Sequence, residues 1–246
     1  MKESLEKSEL ATRPHSLVSL AQARVEELIF NGHILPGKKV KESVIADRIG
    51  FSRGPVREAC RALVAEGYLV SVSQRGVFVR DFSAREIADL YQIRGHLGLL
   101  VGQLAAANAD EATRKELHET LERMERAVEA GALEAYFKLT TRFNDIFLEM
   151  TGNSELATIY ARITRSIRLY RVQFLHSKRG TGARSAWLTH SFQASIKQRH
   201  SFLEALNKRD GDLAGALLKR HAQDSRDRTE SFVSTSSRSE DIGSVG

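Results

Sequence analysis

Residues 42–67 read ESVIADRIGFSRGPVREACRALVAEG, and this stretch decides the fold of the first third of the chain. Apolar residues at helical spacing predict a short helix that ends at Gly50. A second helix is predicted to begin after Ser52, a residue type that caps helix starts, and to run to Glu66. Pro55 falls in its first turn, where a missing N–H is harmless. Only two residues separate the helices, and such a tight pair is typical of a helix-turn-helix.

The sequence on either side of this pair predicts the rest of a small domain. An earlier helix is expected from Ser16 or Ser19 to the stop signal at Asn31. Alternating β-type residues at 68–72 and 77–79, joined by a short turn, predict a hairpin. Three helices followed by a two-stranded ribbon are typical of a winged helix-turn-helix, which binds duplex DNA.

The remaining sequence shows only helical patterns. Ser83 and Glu86 form a capping box that opens a long helix to Asn108. Further helices are predicted over 110–130, 133–150, 154–176, 184–208 and 210–229. The chain is therefore expected to be mostly α, with an N-terminal winged helix-turn-helix domain followed by an all-α helical bundle. The predicted divisions are a flexible N-terminus at 1–14, the DNA-binding domain at 15–80, the bundle at 81–230 and a disordered Ser-rich tail at 231–246.

Composition excludes several classes of protein. The chain has 246 residues, a single cysteine and a net charge of +6. No apolar run approaches the roughly 18 to 20 residues that a membrane span requires, and the first 15 residues lack the apolar core of a signal peptide. A cytoplasmic protein without a membrane partner is therefore expected. One cysteine excludes an intrachain disulfide and a Cys-rich zinc module, and the positive charge weakly favours an anionic partner.

The second helix of the pair carries a row of cations. Arg53, Arg57 and Arg61 recur every four residues on one face, which suits contacts to the DNA major groove and phosphates. The alternative is a solvated surface in which they pair with Glu58 and Glu66. The predicted DNA-binding residues are Ser52, Arg53, Gly54, Arg57 and Arg61 on the helix, with Arg75 and Gly76 at the hairpin tip.

Polar residues interrupt the apolar stripes of the helical region. They are Arg94, Thr140, Asn144, Arg199 and His221. A buried charge is costly unless it is paired, so arginines in such stripes need an anionic partner. Either they pair with a carboxylate of the protein or become exposed, or the five donors converge on a small carboxylate, sulfonate or phosphate.

A second basic region has a simpler interpretation. Residues 156–203 contain many cations and no acid, and arginines recur every three residues from Arg162 to Arg171. The preceding segment, 110–134, is rich in acids. Pairing of these arginines with that acidic segment across the bundle is the favoured interpretation.

The sequence resembles the GntR family of bacterial transcription regulators, through SRGPVREACRALVAEG at 52–67. Three further motifs resemble the FCD-type effector domain of its FadR-like subclass: LYQIRGHLGLL, RFNDIFLEMTGN and RHSFLEALNKRDGDLAGALLKRH. The resemblance covers about residues 15–230. It implies a homodimeric repressor that binds a two-fold operator in double-stranded DNA. It also implies that a small anionic metabolite changes the affinity of this dimer for the operator. Ser43 departs from the pattern, since many relatives have an arginine there.

The resemblance also implies a metal site that this chain lacks. Many FCD domains hold a metal with an Asp and a His four residues apart and two histidines 22 residues apart. Those positions hold Thr140, Asn144, Arg199 and His221, and His200 is one residue out of register. No metal cofactor is therefore expected, and Arg199 is expected to replace the metal as the positive centre.

Two other functions are weighed against this one. An enzyme is disfavoured, because the sequence shows no paired nucleophile and base, phosphate-binding glycine loop or metal cluster. An architectural DNA-binding protein or regulator without an effector is the other alternative. It predicts that no small anion changes DNA affinity.

Overall fold

The computed structural model describes the backbone of residues 16–175 and 181–241 and the side chains of 16–172 and 187–232. The contacts divide the chain into two compact units, with the break between Arg80 and Asp81. Helices dominate both units and the described strands form one small sheet, which confirms the predicted mostly α fold. The predicted flexible segment, 1–14, lies outside the described residues.

The first unit contains the predicted helix pair. Its elements are α1 (Leu17–Phe30), α2 (Glu42–Ile49), α3 (Arg53–Ala65), β1 (Leu69–Val72) and β2 (Gly76–Val79). Gly50 ends α2 in the left-handed region, with φ of 73°, and this lets the chain turn directly into α3. Val25, Ile29 and Leu63 are among the buried residues that pack α1 against α3.

The hairpin is joined to the start of the helix pair. β1 and β2 pair antiparallel, with Leu69 opposite Val79. The backbone before α2 adds to this sheet, because Val40 N donates to Val77 O at 2.8 Å and Val79 N donates to Lys38 O at 2.9 Å. The sequence patterns predict only the two-stranded ribbon. This extra pairing fixes the hairpin relative to the residues that lead into α2.

The second unit is built only of helices in its described part. They are α4 (Ala84–Asn108), α5 (Glu111–Glu129), α6 (Leu133–Met150), α7 (Ser154–Leu175), α8 (Thr181–Asn207) and α9 (Gly211–Asp241). The capping box is present, since Ser83 N donates to Glu86 Oε2 at 2.8 Å and Glu86 N donates to Ser83 Oγ at 3.3 Å. None of the described helices has the length and apolar character needed to cross a membrane.

Helices α4 and α9 approach each other at glycines. A Cβ added at Gly102 would lie 2.2 Å from Gly215 N, and one added at Gly215 would lie 2.6 Å from Leu99 O. Both distances are far below van der Waals contact. Backbone therefore packs directly on backbone at this crossing, which no larger residue would allow.

Three sequence predictions about helix limits and faces differ from the structure. Helix α8 begins at Thr181, three residues early, and α9 continues to Asp241 instead of ending near Thr229. The Phe232 ring stacks on Trp187 of α8 at 4.4 Å, so packing extends α9 into the segment expected to be disordered. The spacing of Leu213, Leu217 and His221 predicts that Leu213 faces inward, but Leu213 is 42% exposed. The buried row of α9 is shifted by one residue because its small side chains fit against α4.

Candidate functional site

The start of α3 presents the predicted DNA-contact residues to solvent. Ser52, Arg53 and Gly54 are all exposed, while the opposite face of α3 is buried in the first unit. Ser52 stands at the N-cap position, as predicted, but its side chain makes no capping hydrogen bond. The predicted side-chain cap is therefore wrong. With its hydroxyl not used for capping, Ser52 can donate to an external acceptor at the helix start.

The three arginines of α3 differ in their partners. Arg61 Nη1 donates to Glu58 Oε1 at 2.8 Å, and Arg57 Nε lies 3.8 Å from the same oxygen. Arg53 has no hydrogen-bond or ion-pair partner among the described residues. Glu66, proposed as a second partner, instead accepts a hydrogen bond from Gln22 Nε2 at 2.7 Å. Arg61 is therefore paired within the protein, whereas Arg53 is the arginine of this row that has no partner among the described residues.

Gly54 has no role in packing the first unit. A Cβ added there would meet no atom within 4 Å, and the backbone is ordinary right-handed helix. Glycine in a helix costs about 0.5–1 kcal/mol relative to alanine. A helical glycine that the fold does not require is best explained by close approach to an external surface.

We therefore expect Gly54→Ala to separate folding from DNA binding. The melting temperature should not fall, because alanine favours the helix and meets no neighbour. Operator affinity should fall about tenfold, since a methyl group intrudes into a close interface. Thermal unfolding and fluorescence anisotropy with labelled duplex would measure both quantities. Unchanged operator affinity would show that α3 does not approach DNA at Gly54.

The hairpin tip carries a second group of cations. Gly76 has φ of +103°, and Arg75 beside it is exposed. The Arg75 guanidinium lies 5.8 Å from the Phe78 ring centroid, and Lys39 Nζ lies 6.0 Å from that centroid. The sequence patterns predict no role for Lys39. The extra backbone pairing places it beside the wing.

In the second unit, two predicted arginines are buried without a carboxylate. Arg94 and Arg199 are 7% and 8% exposed, and no acidic oxygen of the described residues lies within 4.0 Å of either. Arg199 Nη1 donates to Ser195 O at 3.2 Å and contacts Ser195 Oγ. Arg94 Nε is buried with no hydrogen-bond partner among the described residues. The two alternatives from the sequence, ion pairing within the protein and exposure, are thus absent in the described structure.

Helix α6 contacts Arg199. The Phe143 ring centroid is 5.3 Å from the Arg199 guanidinium. Thr140 and Asn144, on the same helix, are half-buried, and Thr140 Oγ1 is buried without a hydrogen-bond partner among the described residues. The predicted polar residues of α6 therefore lie on the face that contains the Arg199 contact.

Burial and nearby positive charges lower the pKa of His221. His221 is half-buried, and its Nδ1 lies 2.7 Å from Gln198 Oε1. Burial is the first cause that lowers its pKa well below the usual value, followed by the charges of Arg199, Arg94, Arg228 and Arg171. The imidazole is therefore neutral at pH 7 and lies within the field of four guanidinium groups.

Arg171 and Arg228 were not predicted as site residues. Arg171 Nη2 donates to Tyr91 Oη at 2.7 Å and to Thr229 Oγ1 at 3.3 Å. Arg228 Nη2 donates to Ser225 Oγ at 3.1 Å. Both Nε atoms are buried without a partner in the described part of the chain. Arg228 follows His221 by seven residues, so the sequence did place the two on one face of α9.

The acidic segment has partners other than Arg171. Glu116 on α5 pairs with Arg142 of α6 at 2.5 Å, and Glu125 pairs with His200 of α8 at 2.5 Å. The interpretation that Arg171 pairs across the bundle with these acids is therefore wrong. Arg94, Arg171, Arg199 and Arg228 form a set that we call the arginine cluster.

We expect His221 to make stability depend on pH. Its folded pKa is depressed, so below about pH 6.5 the unfolded chain takes up a proton that the folded protein excludes. The free energy of unfolding should then fall by up to about 1.4 kcal/mol per pH unit until the folded pKa is reached. Urea unfolding at pH 7.5, 6.5 and 5.5 would measure this loss.

His221→Gln is the control, because glutamine keeps hydrogen-bonding capacity and does not titrate. The variant should lose less stability than the wild type between pH 7.5 and 5.5. Equal losses in both proteins would assign the pH dependence to other groups.

The donor set at the family's metal positions does not fit a divalent cation. Neither guanidinium nor a threonine or asparagine in this setting supplies the carboxylate and imidazole ligands that such ions take. Among the described residues, no three or more His, Cys, Asp or Glu side chains group closely enough to hold a metal. The nearby guanidinium charges would also repel a cation. Chemically, the arrangement suits an anion.

Comparisons with known families agree with both units. Residues 18–79 match the family described as bacterial regulatory proteins, gntR family, and residues 89–224, more than half of the chain, match the FCD domain. The HTH-type transcriptional regulator YdhC of Bacillus subtilis (strain 168) is 28% identical over 150 residues, covering 61% of this chain and 67% of YdhC. The Nta operon transcriptional regulator of Aminobacter aminovorans is 30% identical over 139 residues, covering 56% of this chain and 66% of that protein.

Longer matches support the same relationship. The HTH-type transcriptional repressor RspR of Escherichia coli (strain K12) is 26% identical over 193 residues, covering 78% of this chain and 79% of RspR. The solved structure of Escherichia coli McbR/YncC shares the fold, with a TM-score of 0.71 at 20% identity, over 88% of this chain and 99% of that one. The chain belongs to the GntR family of bacterial regulatory proteins and carries an FCD domain as its second unit.

Proposed function

We propose that this transcription regulator is a homodimeric repressor whose operator affinity is set by a small organic acid bound in the helical unit. The observation that carries the proposal is the burial of Arg94 and Arg199 without a carboxylate partner in the described residues.

The DNA-binding half rests on the exposed start of α3 and on the wing. Arg53 is a cation without a partner among the described residues, and Gly54 leaves the backbone accessible beside it. Side chains at the start of a recognition helix reach base edges in the major groove. Arg75 at the hairpin tip suits a phosphate or the minor groove. The proposed DNA contacts are the predicted ones: Ser52, Arg53, Gly54, Arg57, Arg61, Arg75 and Gly76.

Exposed apolar residues on α4 support a homodimer. Ile93 and Leu100 are 48% and 42% exposed and lie seven residues apart, so they share one face of the helix. A second copy of the helical unit would cover this stripe. Two copies then present two α3 helices to a two-fold operator, whose half-sites lie about one helical turn of DNA or a multiple of it apart.

The effector half rests on the cost of buried charge. Removing a guanidinium from water is expensive unless an anion or several acceptors replace the solvent. Arg199 finds two oxygens of Ser195, and burial still lowers its pKa. A bound carboxylate, sulfonate or phosphate would supply the missing negative charge. Thr140, Asn144 and His221 offer neutral hydrogen-bonding groups beside it.

The arginines also support a metal-free effector site. In the proposal, Arg199 provides the positive centre that a metal supplies in related domains, and the anion binds to it directly. Elemental analysis of purified protein tests this part. Stoichiometric zinc, nickel or manganese in the wild type that is lost on His221→Ala substitution would contradict it.

Coupling to DNA requires a difference in anion affinity between two states of the dimer. An effector shifts the equilibrium only by its differential affinity, and DNA then changes effector affinity by the same factor. Repressor names among the relatives, such as RspR and the probable D-xylose utilization operon repressor of Paenarthrobacter nicotinovorans, favour a repressor role for this chain.

Arg199→Ala is the experiment that tests the effector proposal. We expect small carboxylates and sulfonates, screened by thermal shift, to raise the melting temperature of the wild type and to change its operator affinity. Arg199→Ala should bind the operator normally and lose both responses, because the anion has lost its main counter-charge. Arg126→Ala is the matched control, since Arg126 is exposed on α5 beside Glu122.

Two results would contradict the proposal. A normal anion response in Arg199→Ala would place the effector elsewhere. The absence of any anion response in the wild type would favour a DNA-binding protein without a small-molecule effector.

A further inference from the structure

We infer that the effector is a two-headed anion, with one anionic group held by Arg94 and Arg199 and a second held by Arg171 and Arg228. These pairs are the first and second subsites. The inference rests on the proposed effector function and goes beyond it, because it fixes the number and placement of the negative groups. Short dicarboxylates and carboxylates that carry a phosphonate or phosphate at the other end have this chemistry.

The second subsite has donors that the protein does not use. A guanidinium carries five N–H donors. Arg171 Nη2 donates hydrogen bonds to Tyr91 and Thr229, and Arg228 Nη2 donates one to Ser225. The Nε atoms of both arginines are buried, and neither has a hydrogen-bond partner among the described residues. The Nε atoms are also closed to solvent, so an oxyanion can satisfy them only after the two side chains move apart to admit it.

No described acid neutralises the second subsite by contact. Burial lowers the pKa of Arg228, and the negative charge of Asp224, four residues earlier on α9, partly offsets this. The Asp224 carboxylate itself accepts a hydrogen bond from Gln198 Nε2 at 2.5 Å and forms an ion pair with the exposed Arg220 at 3.8 Å. Neither Arg171 nor Arg228 has a carboxylate within 4.0 Å in the described part of the chain. Two cations held close together without an acid favour an external anion.

The two subsites are neighbours around one tyrosine. The Arg94 guanidinium carbon lies 5.6 Å from the Tyr91 ring centroid, and that of Arg171 lies 6.0 Å from the same centroid. The two carbons are therefore separated by at most the sum of those distances. A short chain of a few carbon atoms is long enough to span such a gap.

Charge balance separates this inference from binding of one carboxylate. Four guanidinium groups lie around a neutral His221, and the carboxylate of Asp224 offsets part of the charge of Arg228, so a monoanion still leaves about two positive charges unmatched. A two-headed dianion places one negative group in each pair and relieves the repulsion between Arg171 and Arg228 as well. A hydrogen bond to a charged group is strong enough for the second head to improve affinity about 10- to 100-fold.

The test compares acids that differ only in the second head. Malonate, succinate, glutarate and adipate, together with phosphonoacetate and 3-phosphonopropionate, would be titrated by calorimetry against monocarboxylates of equal carbon number. Inorganic phosphate supplies a compact, single-headed dianion. At least one two-headed acid should bind the wild-type dimer about 10-fold or more tightly than its monocarboxylate counterpart and than phosphate.

Arg228→Gln assigns the second head to its subsite. Its hydrogen bond in the described structure goes to Ser225 on the same helix, so glutamine should leave the fold intact. The ratio of dianion to monocarboxylate affinity should fall to near one, and monocarboxylate affinity should fall much less than dianion affinity, because the variant removes one positive charge from the cluster. Arg171→Gln should have the same effect, with circular dichroism and melting temperature verifying its fold.

The outcomes separate this inference from the proposed function. If monocarboxylates bind through Arg199 but the second head adds nothing, or adds as much in both glutamine variants, the two-headed effector is wrong and the proposed function stands. Tighter binding of phosphate than of every two-headed acid would also overturn the inference. If no acid binds the wild type, both are wrong.

Discussion

Arg53→Ala is expected to lower operator affinity by about 10- to 100-fold per half-site. Because a two-fold operator has two half-sites, the loss occurs at each of them and the total loss is the product. A bidentate arginine contact to a base is worth about 1–3 kcal/mol. Arg53 stands at the first turn of α3, is exposed, and has no partner among the described residues that would compete with DNA. The substitution removes nothing from the core, so the melting temperature should not change.

Duplexes selected by the wild-type protein from a random pool would serve as the operator probe. Fluorescence anisotropy at several salt concentrations would separate base recognition from phosphate contact, since loss of a phosphate contact reduces the salt slope by about one. Arg24→Ala is the matched control, because Arg24 is exposed on α1 and pairs with Glu27 at 2.9 Å. Its operator affinity should stay within a few-fold of the wild type.

Arg61→Ala should have a smaller effect than Arg53→Ala. Arg61 lies two turns further along α3, and Glu58 already holds it at 2.8 Å. If Arg53→Ala binds the selected duplex as well as Arg24→Ala does, α3 does not read the operator through its N-terminal turn.

Local patterns made the first unit predictable. Gly50, Ser52 and Pro55 specify how one helix ends and the next begins within a few residues, and such signals need no knowledge of distant contacts. The extra sheet pairing by Lys38 and Val40 depends on long-range backbone hydrogen bonds. No local periodicity reveals a bridge of this kind, so Lys39 could not be placed beside the wing.

Arginines of the second unit were predictable only where an apolar stripe framed them. Arg94 and Arg199 interrupt rows of large apolar residues, and both are buried. Arg171 was assigned to the acidic segment because charge counting cannot show which acids already have partners. Arg228 lies in a polar part of α9, and only its spacing from His221 indicated the inner face.

Helix α9 shows why its buried face was predicted one residue out of place. Periodicity favoured Leu213 as an inward residue, because leucine usually contributes more buried area than alanine or glycine. The crossing with α4 instead needs the smallest side chains, and Ala214 and Gly215 are buried there while Leu213 is exposed. Close backbone packing reverses the usual relation between residue size and burial.

Gly102→Ala is expected to destabilise the helical unit strongly. The new Cβ would lie 2.2 Å from Gly215 N and 2.5 Å from Ala214 C, and both of these are backbone atoms that no rotamer change can move. Helices α4 and α9 would have to separate by an ångström or more, at a cost at or above the usual 1–3 kcal/mol for overpacking. A loss of about 3 kcal/mol lowers the melting temperature of a domain this size by roughly 6–12 °C.

Gly95→Ala on the same helix provides the control. Its Cβ would lie 3.6 Å from Ala222 Cβ, an ordinary contact, so the gain in helix propensity should leave the melting temperature unchanged or slightly higher. Because α4 carries Arg94 and α9 carries Arg228, separation of these helices should also weaken the anion response of Gly102→Ala but not that of Gly95→Ala. Equal melting temperatures for the two variants would mean that the crossing tolerates a methyl group, and the glycines would then have no part in holding the arginine cluster together.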